Sequence, residues 1–403
     1  MVANPTGLAT SALLAPSADV TAVSPPAEKA PARLYFVDHL RVALIILVVL
    51  HHLAVLYAGN TGFYYLEPAA HDVLALLVLV VFQLFNQAYF MGFFFLLSGY
   101  FTPSSFDRKG AAAFLKDRLL RLGIPTLVYM FILSPIASIG LYQMPATLGG
   151  ITTPFTWQQY PQLIGVGPLW FALMLLIFDA GYAAWRLATR DRPSHPKGDA
   201  ALPGFRTIGA FVLALALTSY LIRIVLPLGA YWPHWSVASF PSLAYLPQYL
   251  SFFALGAIAS RRDWLRMIPS SLGKAGFVAA LAATVTLFPL SFTGGAAFLG
   301  NGHWQSAAYT LWDSVFAVGM VLGLTALFRR RFDRQGRLGR FLAQHAYAVY
   351  VIHIPVIVLL ALALRGSHPE QLLKFVLAAI LGVPLCFAVA ALVRRLPLAA
   401  RVL

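Results

Sequence analysis

The sequence predicts an all-α, polytopic membrane protein with about ten transmembrane helices and both termini in the cytoplasm. Three observations carry this reading. Of 403 residues, 60% are hydrophobic and only 11% are charged, too little charge to cover a soluble fold of this size. The apolar residues form blocks near 40–58, 73–98, 122–142, 168–185, 207–226, 243–259, 275–292, 304–328, 341–363 and 373–393, most of them close to the roughly 20 residues that a bilayer-spanning helix needs. The connecting stretches alternate in charge. Those at 1–41, 101–121, 186–206, 260–274, 329–340 and 394–403 hold 26 of the 29 Lys and Arg residues, whereas 59–71, 143–167, 227–242, 293–303 and 364–371 hold one, Arg365.

Each block is expected to be helical, because an open sheet would leave backbone groups unpaired in lipid. The positive-inside rule then places the basic stretches, and both chain ends, in the cytoplasm of a cell whose inner (plasma) membrane holds the protein. An even number of spans is needed to close that pattern. The block at 243–259 is the weakest, since Pro247 and Gln248 sit inside it. The formal net charge of +15 reads as topology, not as a nucleic-acid surface, because it resides in short loops between apolar blocks. Cys386 is the one cysteine, so neither an internal disulfide nor a Cys/His metal site is expected. Residues 1–34 carry no signal-peptide pattern and read as a disordered cytoplasmic tail, leaving 35–403 as one membrane domain.

The loops opposite the basic ones are polar and aromatic: Thr156-Trp157-Gln158-Gln159-Tyr160, Tyr231-Trp232-Pro233-His234-Trp235 and Asn301-Gly302-His303-Trp304. Aromatic residues gather at any membrane interface. Mixed with amides and histidines they also suit a carbohydrate ring.

Polar groups inside membrane helices are costly and therefore candidates for function. The first helix is the richest, with Asp38, Arg41, His51 and His52. Asp38 and Arg41 are three residues apart and can pair. His52 lies about 16 Å of helix rise beyond Arg41 and within about 20° of the same face, whereas His51 points about 80° away. On the ninth helix, His353 lies about 20 Å beyond Arg340, so the two histidines reach similar depths on helices that run the same way. Tyr350 precedes His353 by three residues, and Pro355 loosens the backbone nearby. The second helix carries Gln83, Asn86 and Gln87, which serve either as interhelical hydrogen bonds or as part of a polar cavity. Arg118 and Arg121, three apart at the start of the third helix, share a face, and paired guanidinium forks suit phosphate. Asp313 and Asp179 are intramembrane acids, and Arg223 is an intramembrane base.

Several local patterns occur together. They are Arg41 and His52 on the first helix, Phe93-Phe94-Phe95-Leu96-Leu97-Ser98-Gly99-Tyr100 closing the second, and Arg118-x-x-Arg121 followed by Gly123-Ile124-Pro125. Pro168-Leu169-Trp170-Phe171 opens the fourth, and Tyr350-x-x-His353 lies in the ninth. In this order and spacing the sequence resembles the acyltransferase-3 family of integral-membrane O-acyltransferases. The resemblance implies transfer of an acyl group from cytoplasmic acyl-CoA to a hydroxyl of a sugar, glucan or other cell-envelope acceptor at the outer face. Acyl-CoA would be a donor substrate and not a permanently bound cofactor. It implies His52 as the catalytic residue, with Arg41 and His353 beside it. His353 would bind the acceptor or the thioester carbonyl. Arg118, Arg121 and Arg41 are the expected contacts to the CoA phosphates, and Tyr350, Asn86, Asp313 and Trp170 the expected substrate contacts. The later helices hold no Glu of the kind some family members use, so either Asp313 takes that place or the role is missing. The alternative is a secondary transporter or flippase that uses His52, His353 and Asp313 as proton relays. The partners expected on either reading include membrane lipid.

Overall fold

The structure is a computed structural model and describes residues 33–59, 62–67, 72–189, 201–230, 243–367 and 370–403. The tail up to residue 32 and the aromatic stretch Tyr231–Trp235 lie outside them. The described residues are helical wherever they are regular, and ten helices are long and apolar enough to cross a membrane. They are α1 (Tyr35–Ala58), α2 (Val73–Lys109), α3 (Ala111–Gln143), α4 (Gly167–Ala188), α5 (Phe205–Val225), α6 (Leu243–Arg261), α7 (Ser270–Ser291), α8 (Trp304–Arg331), α9 (Arg337–Leu364) and α10 (Gln371–Val393). Each matches one expected apolar block. The weakest block is a helix because its two anomalies are accommodated. Pro247 sits in the first turn, where its missing N–H costs nothing. Gln248 Nε2 donates to the Ala88 carbonyl at 2.7 Å.

Two helices are longer than their apolar blocks. The second helix runs past residue 98 to Lys109 through Pro103, and the third begins at Ala111 instead of near 122. Both extensions are polar, so hydropathy alone does not reveal them. The third helix is also irregular. π-helical turns occupy Leu119–Gly123 and Tyr129–Leu133, and a 3₁₀ turn occupies Ser138–Gln143.

The basic ends of the helices meet one another. Arg186 and Arg261 both reach Asp107, Lys109 pairs with Asp117 at 2.8 Å, Arg394 donates to the Gln344 carbonyl, and His39 donates to the Arg334 carbonyl at 3.0 Å. The opposite ends are joined by Lys374 to Glu67 and by Arg365 to Gln143. The helices therefore have a basic end and a nearly charge-free end.

Small residues allow the closest helix contacts. A Cβ on Gly99 or Gly256 would strike the backbone of the facing helix where α2 meets α6, and one on Gly276 or Gly319 would do so where α7 meets α8. Such packing is how helices associate where lipid supplies no hydrophobic drive. The first helix is central: it packs on α2, α8, α9 and α10, which explains why its side chains can serve a shared site.

Candidate active site

The first helix ends at Gly59, whose φ of 63° places it in the left-handed region that favours glycine. His52 lies near that end, and Arg41 near the start. The ninth helix brings His353 alongside. His353 Nε2 is 3.2 Å from His52 Nδ1, with ring centroids 4.9 Å apart. The depth matching of the two helices therefore holds, and the histidines form one cluster.

Backbone partners fix the tautomers. A carbonyl can only accept, so His52 Nδ1 donates to Val48 O at 2.8 Å and His353 Nδ1 donates to Tyr350 O at 2.7 Å. With Nδ1 of His353 occupied by its proton, its Nε2 is an acceptor, and the His52 Nδ1–H is shared between Val48 O and that nitrogen. The His52 lone pair then sits on Nε2. His353 is completely buried and its Nε2 is directed at His52. His353 was expected to bind the acceptor or the thioester carbonyl; the structure sets its Nε2 against His52 instead. His51 turns elsewhere, with its ring 5.1 Å from Phe90 and its Nδ1 without a hydrogen-bond partner.

Tyr350 lies beside His353, with ring centroids 6.2 Å apart, and its hydroxyl donates to the Pro168 carbonyl. It thus ties α9 to the turn that opens α4. Trp170, just past that turn, packs on Tyr249 at 5.5 Å and Phe95 at 6.5 Å, within an aromatic cluster and not on the histidines. On α2, Gln83 Nε2 donates to Ala54 O at 3.2 Å, and Gln87 Nε2 to the Tyr249 hydroxyl at 3.1 Å. These two amides are interhelical ties. Asn86, between them, is buried with its amide nitrogen unpartnered.

At the basic end, a cavity of about 190 Å³ is lined by Arg41, Phe94, Leu97, Ser98, Phe101 and Arg118. The four α2 residues fall on one helix face, at the helical spacing. Arg41 pairs with Asp38 and lies 6.0 Å from the Phe101 ring. Arg118 Nε is 3.1 Å from Asp179 Oδ2, and Thr102 donates to the other Asp179 oxygen at 2.9 Å. Asp179 is fully buried, so Thr102 and Asp179 together set where Arg118 points. The sequence marked Asp179 as an intramembrane acid but gave it no role.

Arg121 does not join this cavity. It is 62% exposed and pairs with Asp117 at 3.1 Å. The expectation of a shared face assumed a regular α-helix. The turn Leu119–Gly123 is π-helical, and its wider turn changes the angle between residues three apart. Asp313 is likewise corrected. Its carboxylate meets Arg223 Nη2 at 2.6 Å, with both side chains at most 2% exposed, and the Tyr245 ring covers the guanidinium at 4.6 Å. This ion pair joins α5 to α8. It neither contacts the histidines nor forms a relay with them.

The model of a family described as an acyltransferase domain matches residues 34–393. Proteins named glucans biosynthesis protein C, from Salmonella schwarzengrund (strain CVM19633), Salmonella typhi and Salmonella typhimurium, are each 24% identical over 337 residues, covering 80% of this chain and 82% of theirs. No solved structure matches. Since the family model covers residues 34–393 and ten helices are apolar enough to cross a membrane, the chain belongs to the acyltransferase-3 family of multi-pass membrane acyltransferases.

Proposed function

We propose that this protein moves an acyl group from cytoplasmic acyl-CoA to a hydroxyl of a sugar or glucan at the outer face of the inner membrane. The observation that carries the reading is the placement of two unlike sites on one helix. Arg41 opens a basic cavity at one end of α1, and His52 sits about 16 Å along the same helix. That separation suits the pantetheine arm of CoA, with the charged nucleotide held at the basic end. The side carrying 26 of the 29 Lys and Arg residues is the cytoplasmic side by the positive-inside rule, which is where acyl-CoA is made. The names of the relatives support a glucan as the acceptor class.

In the reaction, the acceptor hydroxyl attacks the thioester carbonyl while His52 Nε2 takes its proton. The C–O bond forms, the C–S bond breaks, and the proton passes from His52 to the departing thiolate sulfur. General base action of this kind is worth roughly 10²–10⁴ in rate. His353 acts behind His52. By accepting the Nδ1–H it holds the ring in the tautomer that frees Nε2, and it steadies the imidazolium that forms. Arg118, oriented by Asp179, and Arg41 hold donor phosphate through charge-assisted hydrogen bonds.

The test uses purified protein with acyl-CoA and a glucan acceptor, following both CoA release and acylated product. Transfer by the wild type and its loss in His52→Gln are expected. A wild-type protein that binds acyl-CoA yet acylates no hydroxyl acceptor would sink the reading.

A further inference from the structure

Residues 62–67 return along the end of α1 as a strap and are fastened there by more contacts than a connecting loop needs. Glu67 N–H donates to Leu56 O at 3.1 Å, and Leu66 N–H to the Met144 sulfur at 2.8 Å. Lys374 on α10 pairs with Glu67 at 2.6 Å, and the Tyr65 hydroxyl donates to the other Glu67 oxygen at 2.9 Å. Both ends of the ion pair are buried. Burial and the Glu67 carboxylate push the Tyr65 phenol above its ordinary range, which keeps it a hydrogen-bond donor to that carboxylate. The Tyr64 hydroxyl accepts from Tyr129 at 3.1 Å and lies 3.3 Å from Ser134 Oγ. Gly140 lies so close beneath that a Cβ there would strike the Tyr64 carbonyl.

These fasteners hold one side chain against the histidine pair. The Phe63 ring lies nearly parallel to His52, with centroids 5.8 Å apart and planes at 24°, and it is braced edge-on by Tyr64 at 5.6 Å. A desolvated ion pair between residues 307 positions apart gains little stability over apolar substitutes. Its effect here is to fix the position of a short segment. That segment places an apolar ring on the face of His52, the member of the pair whose Nε2 lone pair is not taken by the other.

We propose that Phe63 is the acceptor-selecting residue of this enzyme: its ring walls His52 on the strap side, and an acceptor reaches His52 by packing a sugar ring against it. The proposal rests on the reading of His52 as the base. A pyranose ring has an apolar C–H face that suits an aromatic surface, while a water molecule gains nothing there. The wall therefore favours a sugar hydroxyl over hydrolysis of the donor. Lys374 and Glu67 are positioning residues, acting only through the strap.

Two measurements test this, and one does not depend on activity. In a Cys386→Ala background, which removes the only native thiol, His52→Cys provides a reporter. A charged thiol reagent is added to either side of sealed vesicles holding the full-length protein. Adding Phe63→Ala should speed labelling from the strap side by about tenfold, the scale of a modest local opening, and leave the other side unchanged. Lys374→Met should act in the same direction, and Glu67→Lys with Lys374→Glu should restore slow labelling. Equal rates with and without Phe63 would overturn the proposal. The kinetic arm uses otherwise wild-type protein. Phe63→Ala should raise the acceptor KM about fivefold, in keeping with the loss of one aromatic contact, and increase CoA release without acceptor. The donor KM should stay fixed, and Phe63→Tyr should behave like wild type. An unchanged acceptor KM overturns the selecting role. If the wild type transfers nothing, the functional reading fails instead, and labelling still decides whether Phe63 walls His52.

Discussion

Two polar pairs bridge helices inside the bundle, and they are finished in opposite ways. Between α5 and α8, Arg223 and Asp313 meet at 2.6 Å, both sealed from solvent, with Tyr245 and Tyr309 rings over the guanidinium. Charge is cancelled by charge and the remaining surface is covered by aromatic faces. Between α1 and α9, His52 and His353 meet at 3.2 Å. There His353 is sealed, while His52 stays partly accessible and keeps a lone pair on Nε2. Intramembrane polar groups are candidates for function by default. Their surroundings sort them: the Arg223–Asp313 pair is sealed from solvent and roofed by tyrosine rings even though Arg223 Nε and Nη1 lack hydrogen-bond partners, and it holds helices together, whereas the His52–His353 pair keeps a partly accessible imidazole that can do chemistry.

The sharpest way to break this comparison is to remove one member from each pair. His52→Asn should cut acyl transfer by roughly 10²–10⁴ while the purified protein keeps its elution profile and thermal midpoint. His51→Asn should leave most of the activity, because its ring faces Phe90. Equal losses at 51 and 52 would remove the distinction between them.

Asp313→Leu should do the reverse. It leaves Arg223 buried and unpaired, which costs about 3–5 kcal/mol, read as a fall in the thermal midpoint. Adding Arg223→Met should recover most of that stability, with turnover within about twofold of wild type. A double variant that is stable but inactive would move the ion pair into the chemistry.

The two arginines of the third helix give a smaller contrast. Arg118→Gln should raise the donor KM about tenfold by removing a charged phosphate contact, with Lys restoring only part because it lacks the fork. Arg121→Gln should change it about twofold or less, as expected of an exposed charge. Similar effects at both would mean that Arg121 turns inward when donor binds. Asp179→Asn keeps the Thr102 contact but loses the charge that orients Arg118, and should raise the donor KM by about threefold.

Much of this was legible in the sequence because it depends on counting along single helices. The ten spans and their basic ends follow from composition and alternation. The similar depth of His52 and His353 follows from equal rise on two helices that run the same way, and their meeting from the packing of α9 on α1. What was not legible depends on irregular backbone or distant partners. The π turn at Leu119–Gly123 separates Arg118 from Arg121, and no local pattern announces it. Glu67 and Lys374 lie 307 positions apart, and only the fold joins them. Asp313 was visible as a costly buried acid, yet only its contact with Arg223 shows what it balances.

The central claim is that His52 and His353 work as one unit, with the base in front and its support behind. A double-mutant cycle on acyl-transfer turnover tests it most directly. His353→Asn alone should lower turnover by roughly 10-fold or more, and His52→Asn by at least about 10². If the histidines act as a unit, the double variant is no slower than His52→Asn alone, because the support has nothing left to orient. If the two losses multiply, His353 contributes through a separate contact and the account of the pair is wrong.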